Sequence, residues 1–187
     1  VIDLNKTVEG MLYMLRRLIG EDIDLLWLPG KKLAPVKVDP AQIDQILANL
    51  CVNARDAIAG VGKITIETAL ITFDEANCAE HPGSLLGEFI LLAVSDDGCG
   101  MDKETMQHIF EPFFTTKKTG EGTGLGLALA DQIIRTHRGR IRAESTIGRG
   151  TTFYVYLPVL EQQQEREQLQ WGVDSKLRIL AADDNNK

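Results

Sequence analysis

Apolar residues recur at helical spacing in three long stretches of this chain and at alternate positions between them, which predicts helices packed on strands. Val8, Met11, Leu12, Leu15, Leu18 and Ile19 mark the first helix, with Asn5 placed to cap its start and Gly20 to stop it. Ile23, Leu25 and Trp27 alternate with Asp22, Asp24 and Leu26 as a half-buried strand closed by Pro29-Gly30, and a shorter extended piece follows at 36–38. Asp39-Pro40-Ala41-Gln42 then opens the second helix, with Asp39 at the N-cap, Pro40 at the first helical position and Gln42 placed to complete a capping box, while Val38 can staple onto Ile43. The stripe of that helix runs Ile43, Ile46, Leu47, Leu50, Ala54, Ala57 and Ile58.

Gly60 and Gly62 end the second helix, and Ile64, Ile66 and Thr68 alternate as a strand. The stretch 72–87 has no steady period and reads as a surface excursion without chemistry. Phe89 to Val94 is a continuous apolar run, consistent with a strand buried on both faces. A short helix capped by Asp102 runs to Ile109, with Met101 and Met106 as its staple. The aromatics of Phe110-Glu111-Pro112-Phe113-Phe114 read as the anchor of a lid whose tip is Lys117 to Gly124. The third long helix, 125–138, turns Ala128, Leu129, Ile133 and Ile134 inward and stops at Gly139. Strands at 140–145 and 151–157, joined across Gly148-Arg149-Gly150 and ended by Pro158, complete the pattern.

Composition narrows the classes open to such a chain. With 187 residues, 44% apolar and 25% charged, it supports one core of ordinary size. The net charge of −7 and dispersed Lys and Arg argue against a nucleic-acid or anionic-membrane surface. Cys51, Cys78 and Cys99 form no Cys-x-x-Cys pair, so neither a disulfide framework nor a zinc site is indicated, and a reducing cytoplasm fits best. No apolar run approaches the roughly 20 residues that span a bilayer, and no signal-peptide layout opens the chain. A start at Val1 and an abrupt end at Lys187 suggest an excised fragment.

Candidate chemistry gathers in three places. Gly122, Gly124 and Gly126 alternate immediately before the third long helix, where backbone N–H groups can approach an anion and the helix can offer its N-terminus. The run matches neither the Walker pattern nor the dinucleotide fingerprint, and alone it reads equally well as a surface loop. Asn49 and Asn53 lie one turn apart at the edge of the second helix's stripe, where asparagine is a poor helix former. They hold either a metal and polyphosphate or neighbouring loops. Asp96, at the end of the buried strand, enters Asp97-Gly98-Cys99-Gly100-Met101, a turn in which the carboxylate can accept from a ligand amino group. In isolation that turn is an ordinary Asx-type turn.

Four of these stretches, in this order, resemble the catalytic ATP-binding domain of sensor histidine kinases, within the superfamily that includes gyrase, Hsp90 and MutL. Asn49-Leu50-Cys51-Val52-Asn53-Ala54 resembles the N box, Asp96-Asp97-Gly98-Cys99-Gly100 the first glycine box, Phe110-Glu111-Pro112-Phe113 the F box, and Gly122-Thr123-Gly124-Leu125-Gly126-Leu127 the second glycine box. The hairpin Gly148-Arg149-Gly150-Thr151-Thr152-Phe153 resembles the one that closes this fold. The resemblance implies an α+β, two-layer α/β sandwich, a mixed and mostly antiparallel sheet covered by helices on one face, spanning residues 1–159. It implies ATP and Mg²⁺ as ligands. Asn53 would coordinate Mg²⁺ with support from Asn49, and Asp96 would read the adenine amino group among Ala57, Gly98, Gly100, Met101 and Thr151. Lys117 would approach the terminal phosphates, and Gly122, Thr123, Gly124, Leu125, Gly126 and Leu127 would wrap them.

Two departures qualify that pattern. Hydrolytic members carry a water-activating Glu where this chain has Asn49, which favours a kinase over an ATPase or nucleotide-driven switch of the same fold. Where many histidine kinases carry a basic residue near the phosphates this chain has Asp56, which can instead bind a metal-bound water. His81, His108 and His137 do not resemble the family's phosphate acceptor. The acceptor hairpin, which is also the dimerisation element, would therefore lie upstream, leaving this piece monomeric and unable to autophosphorylate. Residues 160–176 read as a linker, and Leu177 to Asn185 resembles the first strand of a receiver domain over 177–187. The implied partners are that hairpin and a response regulator or fused receiver, within a homodimeric parent and without nucleic acid or direct membrane contact. A partner-binding module that has lost nucleotide is the non-catalytic alternative.

Overall fold

Helix α1 (Leu4–Ile19) begins where a carboxylate can satisfy its orphan amides: Asp3 Oδ1 accepts from the N–H groups of Asn5 and Lys6. Asp3, not Asn5, is therefore the cap. Asn5 sits inside the helix and reaches outward, donating to the Gly30 carbonyl at 2.9 Å and accepting from the Thr68 hydroxyl at 2.7 Å. The computed structural model describes residues 1–73, 86–117 and 122–160. Most of the 72–87 excursion, Cys78, His81, residues 118–121 of the lid tip, the linker from 161 and the 177–187 segment lie outside the described residues.

Strand β1 (Ile23–Leu28) buries Ile23 and Leu25, as its alternation predicts. The piece at 36–38 makes only an isolated bridge between Ile2 and Val36 and forms no strand. Helix α2 (Pro40–Ala57) starts as its sequence dictates, with Asp39 accepting from the Ala41 N–H at 2.9 Å. The capping box does not close, however. Gln42 turns away to bond His137, which ties the start of α2 to the end of a later helix.

Strands β2 (Gly62–Phe73) and β3 (Gly87–Asp96) are longer than their apolar cores suggest and pair antiparallel from Ile64 to Phe73 of β2 along all of β3. A short α3 (Lys103–His108), capped by Asp102, precedes α4 (Gly126–Thr136) and the hairpin of β4 (Arg140–Thr146) and β5 (Gly150–Pro158). The sheet runs β1-β2-β3-β5-β4, with β1 parallel to β2 and every other pair antiparallel. Alternation on β3 divides its two faces. Ile90, Leu92 and Val94 join the core shared with α1, α2 and α4, while Phe89, Leu91 and Ala93 join Tyr156 in a smaller cluster on the other face.

Helix α4 corrects one expected face. Ala130, Ile133 and Ile134 are buried, whereas Leu129 is 37% exposed. The reason lies at the start of the helix, where Gly126 abuts Asn49 of α2. That contact makes 126, 130, 133 and 134 the inward stripe, and Leu129 falls one position outside it. At its far end the helix stops at Thr136, and Arg138, not Gly139, takes the left-handed conformation.

Candidate nucleotide site

The C-terminal half of α2, the end of β3, the start of β5 and the loop before α4 surround a cavity of about 210 Å³. Asn53, Asp56, Ala57, Asp96, Gly100, Met101, Lys117, Leu127 and Thr151, all expected at the site, line it. Asn49, Gly98 and residues 122–126 do not line it but flank it through the contacts described below. Strand register explains one pairing that spacing could not show: Asp96 on β3 lies opposite Thr151 on β5, 55 residues later in the chain.

Asp96 sits at the end of a strand that is paired on both edges, by β2 and β5. Its Oδ1 accepts from the Gly98 N–H at 2.9 Å, and burial, reinforced by the charge of Asp97, raises its carboxyl above the ordinary range despite the N–H groups of Gly98 and Thr151. The turn that follows requires glycine at position 100, where φ is +68° and an added Cβ would stand 2.1 Å from the Thr146 carbonyl oxygen. Next to it, the Met101 N–H donates to Ser145 Oγ at 2.8 Å, and Ser145 Oγ lies 2.8 Å from Thr151 Oγ1. Ser145 thus fastens the turn to the hairpin. No sequence signal singles it out, because its role comes from the β4–β5 register that sets it opposite Thr151.

The two asparagines of α2 have different fates. Asn49 donates from Nδ2 to the Gly126 carbonyl at 3.1 Å, joining α2 to the first residue of α4. Asn53, one turn on, is half-buried and lines the cavity, and its side chain makes no hydrogen bond among the described residues. Its amide is available to a ligand. One turn further, Asp56 pairs with both Arg55 and Lys117. Burial alone would raise the Asp56 carboxyl, but the hydrogen bonds and charges of Lys117 and Arg55 outweigh it and hold the group below the usual range.

The glycine run shapes the start of α4. Gly124, at φ +67°, returns its carbonyl to the Phe113 N–H at 2.9 Å, and an added Cβ there would meet Phe113 backbone atoms at 2.4–2.7 Å. Phe113 is 74% exposed, so Phe110 and Phe114, packed against the core, are the aromatics that anchor this loop. Thr123 Oγ1 accepts from the Leu125 N–H at 3.3 Å, and α4 begins with no side chain capping it. Among the described residues no side chain caps its first amides, which suit an anion beside the cavity.

Residues not anticipated from sequence also line the cavity, among them Cys99, Ile109, Phe114 and Phe153. Ile109 and Phe153 are ordinary buried positions in their elements, and only packing places them against a ligand volume. Cys99 is exposed, whereas Cys51 is buried in the core with its thiol pushed up to about 12 by burial. His108 pairs with Glu111, and His137 with Gln42. Among the described residues no group of three or more His, Cys, Asp or Glu side chains gathers as a metal centre, and no helix is long and apolar enough to cross a membrane.

A cavity with an acceptor carboxylate at the end of a core strand and the start of a helix beside it suits a base bearing an amino donor and an anionic tail, which is the chemistry of a nucleotide-binding domain. The chain belongs to the histidine kinase-, DNA gyrase B- and HSP90-like ATPase family, whose model matches residues 38–161. Sensor kinase CckA of Brucella abortus (strain 2308) is 39% identical over 167 residues, which are 89% of this chain and 18% of that protein. The signal transduction histidine-protein kinase AtoS of Escherichia coli (strain K12) is 35% identical over 159 residues, 84% of this chain and 24% of that protein. The chain therefore spans about a quarter or less of these two relatives. The catalytic domain of the histidine kinase ThkA has the same fold, with a TM-score of 0.64 and 27% identity over 87% of this chain and 96% of that domain. Fold, family and relatives together identify the catalytic ATP-binding domain of a sensor histidine kinase.

Proposed function

We propose that this domain binds Mg²⁺-ATP and transfers the γ-phosphoryl group to a histidine on a dimerisation hairpin outside this chain. The observation that carries the reading is the convergence on one cavity of Asp96, the amide of Asn53, without a partner among the described residues, and, through Leu127, the start of α4. Asp96 accepts from the adenine amino group while Met101, Ile109 and Phe153 pack on the base. Thr151 completes that end, with Ala57, Gly98 and Gly100 shaping the turn around it. Asn53 would hold Mg²⁺ through its side-chain oxygen, and the ion would supply neutralisation of phosphate charge. Lys117 and the N–H groups of residues 122–127 hold the phosphates.

In the transfer, the bond between the β,γ-bridging oxygen and γ-phosphorus breaks as a phosphorus–nitrogen bond forms, leaving ADP and a phosphohistidine. Positioning and charge neutralisation supply most of the catalysis. Asn49 lacks the basicity to activate water, and its amide nitrogen is already bonded to Gly126, so transfer to a side chain is favoured over hydrolysis. Residues 1–159 form the catalytic unit, and the sequence of 177–187, joined to it through 160–176, resembles the start of a receiver domain. The wider partners are a response regulator or that receiver, on the cytoplasmic side of a parent homodimer. This chain by itself is monomeric and does not label itself.

The test is calorimetric titration of the chain with a non-hydrolysable ATP analogue, with and without Mg²⁺, alongside Asn53→Ala and Asp96→Asn. Binding is expected in the wild type and weakened at least tenfold in either variant, an amount appropriate to losing a charge-assisted or metal-linked contact. Labelled ATP should then phosphorylate a histidine hairpin added in trans and leave the chain unlabelled. Wild-type binding without any phosphotransfer would favour a nucleotide-driven switch, and absence of binding by folded protein would favour a partner-binding module.

A further inference from the structure

Lys117 does not point into open solvent from its loop; its ammonium pairs with Asp56 Oδ2 across a sequence separation of 61 residues, and both side chains line the nucleotide cavity. The other carboxylate oxygen is also taken. Asp56 Oδ1 accepts from Arg55 Nε at 2.8 Å and from its second guanidinium nitrogen at 2.6 Å, while Arg55 Nη1 donates to the Leu18 carbonyl at 3.0 Å in the last turn of α1. Side-chain exposures of 25% for Asp56 and 31% for Lys117 place the pair between a surface contact and a buried one, where its strength exceeds that of a solvated bridge. An acidic group three residues beyond Asn53, facing the same cavity, would repel a polyphosphate if it stood unpaired.

We propose that Asp56 is a positioning residue that holds Lys117 as an internal counter-ion, so that a polyphosphate binds by taking Lys117 from the carboxylate while Arg55 remains and masks the charge left behind. The inference rests on the nucleotide reading of the cavity and deepens it. Asp56 therefore sets affinity in the direction opposite to an ordinary binding residue. It competes with the ligand for Lys117, and its removal improves binding. Arg55 explains how the exchange avoids leaving a bare carboxylate beside the phosphates, since two of its nitrogens already occupy Oδ1 and its third is fixed by α1.

The test titrates a non-hydrolysable ATP analogue, with and without Mg²⁺, into the full chain carrying Asp56→Asn, Lys117→Met or both. Asp56→Asn is expected to tighten binding about three- to tenfold, the scale of a half-exposed ion pair no longer broken on binding. In the Lys117→Met background the same change should gain less than about twofold, because Lys117 is no longer there to be released. A full gain in that background would reduce Asp56 to simple repulsion and overturn the exchange. Weaker binding of Asp56→Asn only when Mg²⁺ is present would make Asp56 a holder of metal-bound water, and unchanged affinity would make the triad structural; each result also overturns the proposal. Carbon-13 detection of the Asp56 carboxyl signal in the wild-type chain reads the exchange without a variant. That signal should move as the analogue saturates, and a stationary signal with bound analogue overturns the proposal. Failure of the wild type to bind at all would instead remove the nucleotide reading itself.

Discussion

Asp96 shows how one carboxylate can serve binding at the expense of stability. Burial raises its protonation range from the ordinary 3.8, so the folded chain holds this proton more tightly than the unfolded one. Its contribution to stability is therefore fully present below about pH 4 and declines as pH rises through the folded value. Asp96→Asn is expected to raise the melting temperature of the nucleotide-free chain at pH 7, with the gain vanishing at low pH, while nucleotide affinity falls. Thermal melts across pH 3–8 with a parallel titration check both arms, and an unchanged melting temperature at pH 7 contradicts the account. Gly100 gives the steric counterpart. Gly100→Ala forces a side chain onto φ +68° and against the Thr146 carbonyl, and should cost about 2–4 kcal/mol in chemical denaturation.

Between elements, the contact between Asn49 and Gly126 decides more than either helix does alone. It selects the stripe of α4 that faces inward, and it fixes where the uncapped first turn stands relative to the cavity. Asn49→Ala removes one hydrogen bond and leaves the Gly126 carbonyl half-buried without that partner, at a cost of about 1–2 kcal/mol. Faster amide hydrogen exchange confined to the first turns of α4, together with weaker nucleotide binding, is the expected signature. Exchange unchanged in α4 would show that the loop alone places the helix. The start of α2 illustrates the contrasting case. Asp39 and Pro40 define it locally, and the structure reproduces it although Gln42 is diverted to His137.

Across the whole molecule, α1, α2 and α4 share one core with the helix-facing side of the sheet, so the site has no independently stable part. Leu47 is fully buried beneath that layer, and Leu47→Ala should cost about 2–5 kcal/mol, a large share of a domain's usual 5–15 kcal/mol. Helical and sheet signals in circular dichroism are expected to disappear in one transition at a lower denaturant midpoint. Two separated transitions would show that the layers unfold independently.

What the sequence by itself determined was local or periodic: the capped start of α2, the doubly buried β3 that ends in Asp96, the glycine turns and the order of four motifs that marks the family. These follow from backbone conformation, side-chain period and short-range capping, which act within a few residues. The tertiary structure alone decided that Asn49 is tied to Gly126 while the Asn53 side chain has no partner among the described residues, that Ser145 fastens the Met101 turn, and that Lys117 meets Asp56. Those partners lie 77, 44 and 61 residues apart in the chain. The donors and acceptors could be read in advance, but their pairing depended on strand register and helix packing, which are settled only when the whole core closes.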